Sequence, residues 1–314
     1  GGAVYADSSE LIIRKSRFLG NFSVYKGGAI YMTDMVGVIL GGSSDAGNVF
    51  SGNQGSSPYG GNTLFYELAP YRERHYKPLI NTRYNVFAET PSYYSLQPLT
   101  AFDFSHSEYP DTPLSHELFV APEGHDENDG LTPQTALKTI RAATFKGYAT
   151  WKTPLVIHLA PGVYSRTTNG ETFPVYLFSN IVLNGSERDQ FIVNAENTSS
   201  VIEIYQGHST RVEQLTVTGG RNLDGGGILI ETPSDLTVSD CLISYNHAGS
   251  IGGGIGCFGG DLSCFDTVFF RNSSKSRGGG ISHQYDRLNV NNCEFLENQS
   301  IETYGGGIDC RYSD

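Results

Sequence analysis

Gly252-Gly253-Gly254-Ile255 recurs as Gly278-Gly279-Gly280-Ile281, and the same Gly-Gly-[Gly/Ala]-[Ile/Val] tetrad starts at Gly1, Gly27, Gly225 and Gly305. The starting positions differ by 26 in the first cluster and by 27, 26 and 27 in the second. Leu11, Leu236, Leu262 and Leu288 lie ten or eleven positions after their tetrad's first glycine, and Ile13, Val238, Cys264 and Val290 each follow two positions later. A third segment supplies Phe18, Ile243, Phe269 and Phe295, each followed three positions later by Asn21, Asn246, Asn272 or Asn298. A spacing of two between apolar partners is the period of a β-strand. Three short strands per repeat predict an all-β fold, a three-sided right-handed parallel β-helix. Each coil would take about 26–27 residues, within the range of solenoid repeats. Coils should stack at ~4.8 Å, the usual spacing between strands. The apolar columns then form a continuous core, each buried Leu, Ile or Phe contributing roughly 1.5–3 kcal/mol. The recurring Asn predicts a side-chain ladder at a turn, and the tetrad glycines a corner that needs positive φ or close backbone approach.

Outward from the tetrads the frame extends with less support. Ile202 and Ile204 lie one such step before Ile228 and Ile230, and Tyr176 and Phe178 lie one step earlier again. The second array is therefore expected over 152–314, continuing past the C-terminal end. Residues 1–53 hold the last coils of an upstream β-helix, in which Gly27 is followed by Phe50 and Asn53 after a six-residue insertion. Residues 54–115 carry no tetrad and are rich in Tyr, Pro and Ser; Tyr84-Asn85-Val86-Phe87 suggests closing strands, with a linker around Pro110 to Pro113. Aromatic packing among Tyr66, Tyr71, Tyr76, Tyr84, Tyr93 and Tyr94 is expected to stabilise this junction. Residues 116–151 read as an N-terminal cap with a helix at 133–146. Thr132 is its N-cap, Pro133 its first position, Gly147 its stop, and Ala136, Leu137, Ile140 and Ala143 its apolar stripe. Solenoids need caps because the first coil otherwise exposes its core and a bare strand edge. Leu155, Ile157 and Leu159 alternate next. A chain that opens on a tetrad and stops shortly after Ile308 is expected to be an excerpt of a longer solenoid.

Composition agrees with many short strands joined by turns. Gly contributes 38 residues, Tyr 19 and Phe 17, while charged residues are 17%. A net charge of −12 argues against a nucleic-acid partner, because phosphate binding needs a basic face. No run approaches the ~18 apolar residues of a membrane span, so membrane insertion by this segment is not expected. Five cysteines is an odd count that a full disulfide framework would not produce.

Gly-Gly-Ala-Ile with Phe-Leu-Gly-Asn, Phe-Phe-Arg-Asn and Phe-Leu-Glu-Asn resembles the paired repeat motifs of the chlamydial polymorphic outer-membrane proteins. It is also similar to the right-handed β-helix repeat proteins of many secreting bacteria. Val120-Ala121-Pro122, Gly124, Asp126, Asn128-Asp129-Gly130, Lys138-Thr139-Ile140 and Pro161-Gly162-Val163-Tyr164 resemble the opening of pectin-lyase-fold domains. The resemblance implies an extracellular protein, at a bacterial cell surface or outer membrane. Its role would be non-catalytic, that of an adhesin or passenger binding extracellular glycan or protein. The alternative is a polysaccharide lyase or hydrolase of the pectin-lyase fold.

Four side-chain groups invite chemistry. Asp126, Asn128 and Asp129, before Gly130, resemble the start of a Ca²⁺ loop. The matching later Glu is missing, and an Asn/Asp/Gly turn explains the stretch without metal; no cofactor is required. Asp235 should stack near Asp261, and Asp240 near Asp266. Pectate lyases bind Ca²⁺ and acidic sugar through carboxylates on adjacent coils, whereas Asp is also a good turn residue. No Arg or Lys is expected to serve both pairs as the required base. His283 shares an offset with Cys257, Cys310 and Ile230, which allows a metal reading but favours an inward column of medium-sized residues. Cys257 and Cys310, like Cys241 and Cys293, should lie two coils apart, about 9–10 Å and too far for a disulfide. Tyr5 and Tyr31 share an outward offset, where aromatic pairs can stack on sugar rings.

Overall fold

The computed structural model describes residues 2–23, 28–33, 35, 37–51 and 53–55. Between 56 and 114 it describes 64–67, 80–81, 85–87, 93–95 and 102–103; beyond 114 it describes all but 148, 150–152, 178–179, 205–208, 232–233 and 314. The chain divides into two units, Gly1–Pro113 and Leu114–Asp314.

The second unit is a parallel β-solenoid. Sheet I orders Glu117–Val120, Leu155–Leu159, Ile181–Asn184, Thr210–Glu213, Leu236–Ser239, Leu262–Phe265 and Leu288–Asn291 side by side. Sheet II runs from Gly162–Ser165 to Glu294–Leu296, and sheet III from Val175–Leu177 to Ile308–Arg311, with six strands each. The register aligns Leu236, Leu262 and Leu288, then Ile243, Phe269 and Phe295, then Ile228, Ile255, Ile281 and Ile308, as the tetrad offsets require. As far as Ile281 these columns meet inside the coils as one core, against which Leu288 and Phe295 pack partly buried, while Ile308 is exposed. A fourth, short sheet follows the Asn ladder, built of Arg221–Asn222, His247–Ala248, Ser273–Ser274 and Gln299–Ser300. Its two-residue strands are too short to leave a period in the sequence.

The Asn ladder forms as expected. The Asn272 amide donates to Ile243 O at 2.7 Å and to Asn298 Oδ1 at 3.0 Å, while its own Oδ1 accepts from the Asn246 amide at 3.0 Å and the Asn246 N–H at 3.2 Å. Each Asn thus ties the backbone of one coil to the side chain of the next. The first glycine of each described tetrad from Gly225 on has positive φ, between 57° and 69°.

Three features depart from the sequence reading. Tyr176 does not align with Ile202: Val175 pairs with Ile202 and Leu177 with Ile204, one position off the expected frame. A one-residue slip exchanges the faces of a strand, and this register sends Val175 and Leu177 inward. Phe178 lies outside the described residues. The single helix expected at 133–146 is two elements, a 3-10 turn at Pro133–Thr135 and the helix α1 at Ile140–Lys146. Between them Ala136 is extended, with ψ 143°, because Leu137 exchanges backbone hydrogen bonds with Phe119 and Ala121. Thr132 caps the 3-10 turn, and Thr139 caps α1. Finally, sheet I starts at Glu117 rather than near residue 152.

The first unit is also built of parallel strands. Val4–Asp7 pairs with Ile30–Thr33, which pairs with Leu64–Glu67, and that with Tyr93–Ser95. Phe18 aligns with Phe50, their rings stacked at 5.0 Å, and Asn21 donates to Asn53 Oδ1, so the six-residue insertion is absorbed outside the ladder. A second ladder joins Asn48 to Asn85, whose amide donates to Leu40 O. Strands as late as Phe102–Asp103 add to these sheets, so the coils outlast the tetrads. Gly1, Gly27, Pro110 to Pro113 and the side chains of Tyr66, Tyr71, Tyr76, Tyr84, Tyr93 and Tyr94 lie outside the described residues.

Candidate functional site

Strand alternation at the cap end of sheet I sends Leu118, Val120, Ile157, Leu159 and Leu183 inward, and Phe119, His158 and Asn184 to the outer face. Register places those three side by side, with Glu213 next in the row. The Phe119 and His158 rings stack at 5.0 Å and 22°, and His158 Nε2 lies 2.8 Å from Glu117 Oε1. Beside them, the turns that follow the strands meet the 3-10 turn of the cap. Ala121, Ala160, Pro161, Gly185 and Ser186 line a half-open cavity of about 340 Å³ with Pro133 and Ala136. Gly185 is required there: a Cβ would stand 2.3 Å from Gln214 O.

The lining of the cavity is mostly apolar with a few polar groups, a mixture that small-molecule sites also show. The backbone of that apolar lining is already committed. Ala121 N–H donates to Leu137 O, Ala121 O accepts from Gly124 N–H, and Ala136 O accepts from His125 N–H. Ala160 N–H donates to Val120 O, and Ala160 O accepts from the Tyr164 hydroxyl. The polar side chains of the lining are those of His158, Asn184 and Ser186. Glu117 and Glu213 stand on strands three steps apart, about 14 Å at ~4.8 Å per step. Paired glycosidase carboxylates need roughly 5–9.5 Å.

Asp126, Asn128 and Asp129 do share one loop, and hydrogen bonds within the fold engage all three. Asp126 Oδ1 accepts from Lys138 and Thr139 N–H at 2.8 Å each, and Oδ2 from the Thr139 hydroxyl at 2.9 Å. The Asn128 amide donates to Ala136 O. The Thr135 hydroxyl and the Leu131 N–H donate to Asp129 and hold its carboxyl below the ordinary range. The buried Lys146 ammonium donates to Asp126 O at 2.6 Å and Asn128 O at 3.3 Å, so the loop encloses a cation of its own. Among the described residues no group of three or more His, Cys, Asp and Glu side chains is placed to hold a metal ion.

The aspartate pairs act as corner residues. Asp235 Oδ1 accepts from Asp261 N–H, and Asp261 Oδ1 from Arg287 N–H, each tying one coil to the next. Asp240 and Asp266 have φ near 50°, and the Asn292 amide donates to Asp266. Arg188 stands 3.9 Å from Asp240 and Arg287 3.9 Å from Asp261, a separate cation for each pair. Tyr5 and Tyr31 do lie side by side on neighbouring strands, their ring centroids 5.2 Å apart and their planes tilted by 48°.

Cys257 and His283 are buried in one column, while Cys310 is exposed. His283 bonds Ser313 Oγ and Gly260 O through its two nitrogens, and burial holds its pKa below the ordinary value. All five cysteines are free thiols. Burial pushes the Cys241 and Cys257 thiols up to about 12, and Cys264 well above its ordinary value. Since the thiolate is the reactive form, a thiol-specific disulfide reagent should titrate Cys310 quickly and Cys293 slowly in the native protein. The remaining three should react only in denaturant; fast labelling of all five without denaturant would contradict this placement.

Sequence reasoning missed Glu171, which is far along the chain from the helix it caps. Its buried carboxylate accepts from the N–H groups of Ile140 at 2.6 Å and Arg141 at 3.3 Å, fastening α1 to the first coil. Burial raises its pKa from the ordinary 4.5 to about 7 despite those donors. Between these values the folded state holds a proton that the unfolded state has released. Stability should therefore fall as pH rises from 4.5 to 7 by about 3 kcal/mol, and level off above. Glu171→Gln should flatten that slope in denaturant titrations across the range; an unchanged slope would remove Glu171 as its source.

Residues 122–252 match a family described as "Protein of unknown function (DUF1565)". The matched stretch takes in His158, Asn184 and Ser186, and starts just after Phe119. No match to the chain is found among the curated proteins or among the solved structures.

Proposed function

We propose that this right-handed parallel β-helix repeat protein is a non-catalytic binder of extracellular glycan, displayed at a bacterial cell surface or outer membrane, with the cavity beside the cap as its contact site. The observation that carries the reading is the Phe119–His158 stack, oriented by Glu117, which lines the same pocket as Asn184 and Ser186. A pyranose has the same mixed character: its C–H face packs on an aromatic ring, and its hydroxyls exchange hydrogen bonds with amide, imidazole and hydroxyl groups. The surface charge fits a neutral glycan better than a polyanionic one, given the net charge of −12 and the carboxylates of Glu117 and Glu213. No metal or organic cofactor enters this binding mode. An extracellular protein partner is the other outcome that the resemblance allows.

The test is a glycan array and a polysaccharide-cleavage assay of the chain, run with Ca²⁺ and with EDTA. Binding without new reducing or unsaturated ends is expected, equal in both conditions. Phe119→Ala and His158→Ala should each weaken it at least ten-fold, since each removes half of the stacked pair. Metal-dependent cleavage would replace this reading with that of a lyase or hydrolase, and unchanged binding in both variants would move the site elsewhere.

A further inference from the structure

The cavity's lining combines apolar and polar groups in a way that can select among sugars, an inference that rests on the glycan-binding reading. At about 340 Å³ it lies near the lower end of the roughly 300–1,000 Å³ of ligand pockets. That is room for one sugar unit rather than a run of them. Its polar side chains, Asn184, Ser186 and His158, can take hydroxyls. The rest of the lining is largely apolar, with Ala121, Ala160, Pro133, Pro161 and the buried Ala136. At the three alanines the backbone N–H and C=O groups named above are already bonded within the fold. A hydroxyl turned to that apolar wall would lose water and find no partner, which is costly; a methyl group there gains by burial.

We infer that the pocket selects a sugar unit bearing a methyl group, as N-acetylhexosamines and 6-deoxyhexoses do, over the fully hydroxylated hexoses. The methyl lies on the Ala121–Ala136–Ala160 wall, and the ring hydroxyls face Asn184 and Ser186. The selection is built by the cap, because Pro133 and Ala136 reach the pocket only where the chain straightens between the 3-10 turn and α1. A single helix across 133–146 would carry them away from the strand turns.

Saturation-transfer NMR titrations of the whole chain with N-acetylglucosamine, N-acetylgalactosamine, D-quinovose (6-deoxyglucose), D-fucose (6-deoxygalactose), glucose and galactose test this. At least one methyl-bearing class should bind about four-fold or more tightly than its parent hexose, the factor given by ~0.8 kcal/mol for one buried carbon. The acetamido and deoxy arms show which source of the methyl the wall accepts. Ala160→Ser, a small change at a half-exposed turn, should erase that preference and leave folding unchanged. Equal affinity for methyl-bearing and parent sugars, or a preference unaltered by Ala160→Ser, overturns the inference while glycan binding stands. Binding of none of the six sugars, together with a silent glycan array, overturns both.

Discussion

Asn272→Ala is expected to destabilise the second solenoid by about 4 kcal/mol, since several buried groups lose their partners at roughly 1–3 kcal/mol each. The Asn272 side chain is fully buried and makes four hydrogen bonds spanning three coils. Removing it leaves the Asn246 N–H and one hydrogen of the Asn246 amide without their acceptor, and takes one donor each from Ile243 O and from Asn298 Oδ1, which keeps the Asn272 N–H; a methyl group cannot replace any of these bonds. The exposed Asn289, on an outer strand position, is the control. Asn289→Ala should fall within about 0.5 kcal/mol, as surface substitutions do. Denaturant unfolding of both variants decides the matter. Equal, small losses would mean that the ladder contributes little and that the apolar columns alone fix the coil register.

Gly252→Ala is expected to cost about 3 kcal/mol or more, from left-handed strain and backbone collision together. Gly252 has φ of 69°, and a Cβ built on it meets Gly256 Cα and Ile255 O at 2.4 Å, neither of which can swing aside. Gly249, three positions earlier, has no such constraint: its nearest neighbour would be Leu223 Cδ1 at 3.6 Å. Gly249→Ala should be close to neutral. A solenoid transmits such damage mainly to adjacent coils, so amide exchange should quicken first in the coils either side of Gly252. A mild Gly252→Ala would show that the corner can be remade without a left-handed residue.

The tetrads and the Asn residues were legible because each repeats a local requirement. A corner that needs positive φ, and an amide that must bridge coils, impose the same residue at every turn. The apolar columns repeat for the same reason. What escaped detection lacks such repetition. The Asn48–Asn85 ladder crosses a longer interval than the regular coils, with no tetrad to set its frame. The Val175–Leu177 strand follows a longer loop, and one extra residue was enough to exchange its faces. Residues 136–139 carry an apolar pattern that suits a helix, but tertiary pairing of Leu137 with the first strand of sheet I holds them extended. The candidate site was the least legible part. Phe119, Pro133, His158 and Asn184 come from separate coils and the cap, and nothing in their spacing marks them as neighbours. Asp126, Asn128 and Asp129 drew attention as a motif, yet their hydrogen bonds and the Lys146 ammonium show a loop engaged with its own chain.

The measurement that bears most directly on the proposed site is hydrogen–deuterium exchange of the whole chain, with and without the tightest-binding glycan from the array. Protection is expected in four short stretches, 117–121, 133–137, 157–161 and 183–187, which supply the cavity wall. Protection confined to the first unit, along the strands of Tyr5 and Tyr31, or absent from all four stretches at saturating glycan, would contradict the placement of the site beside the cap.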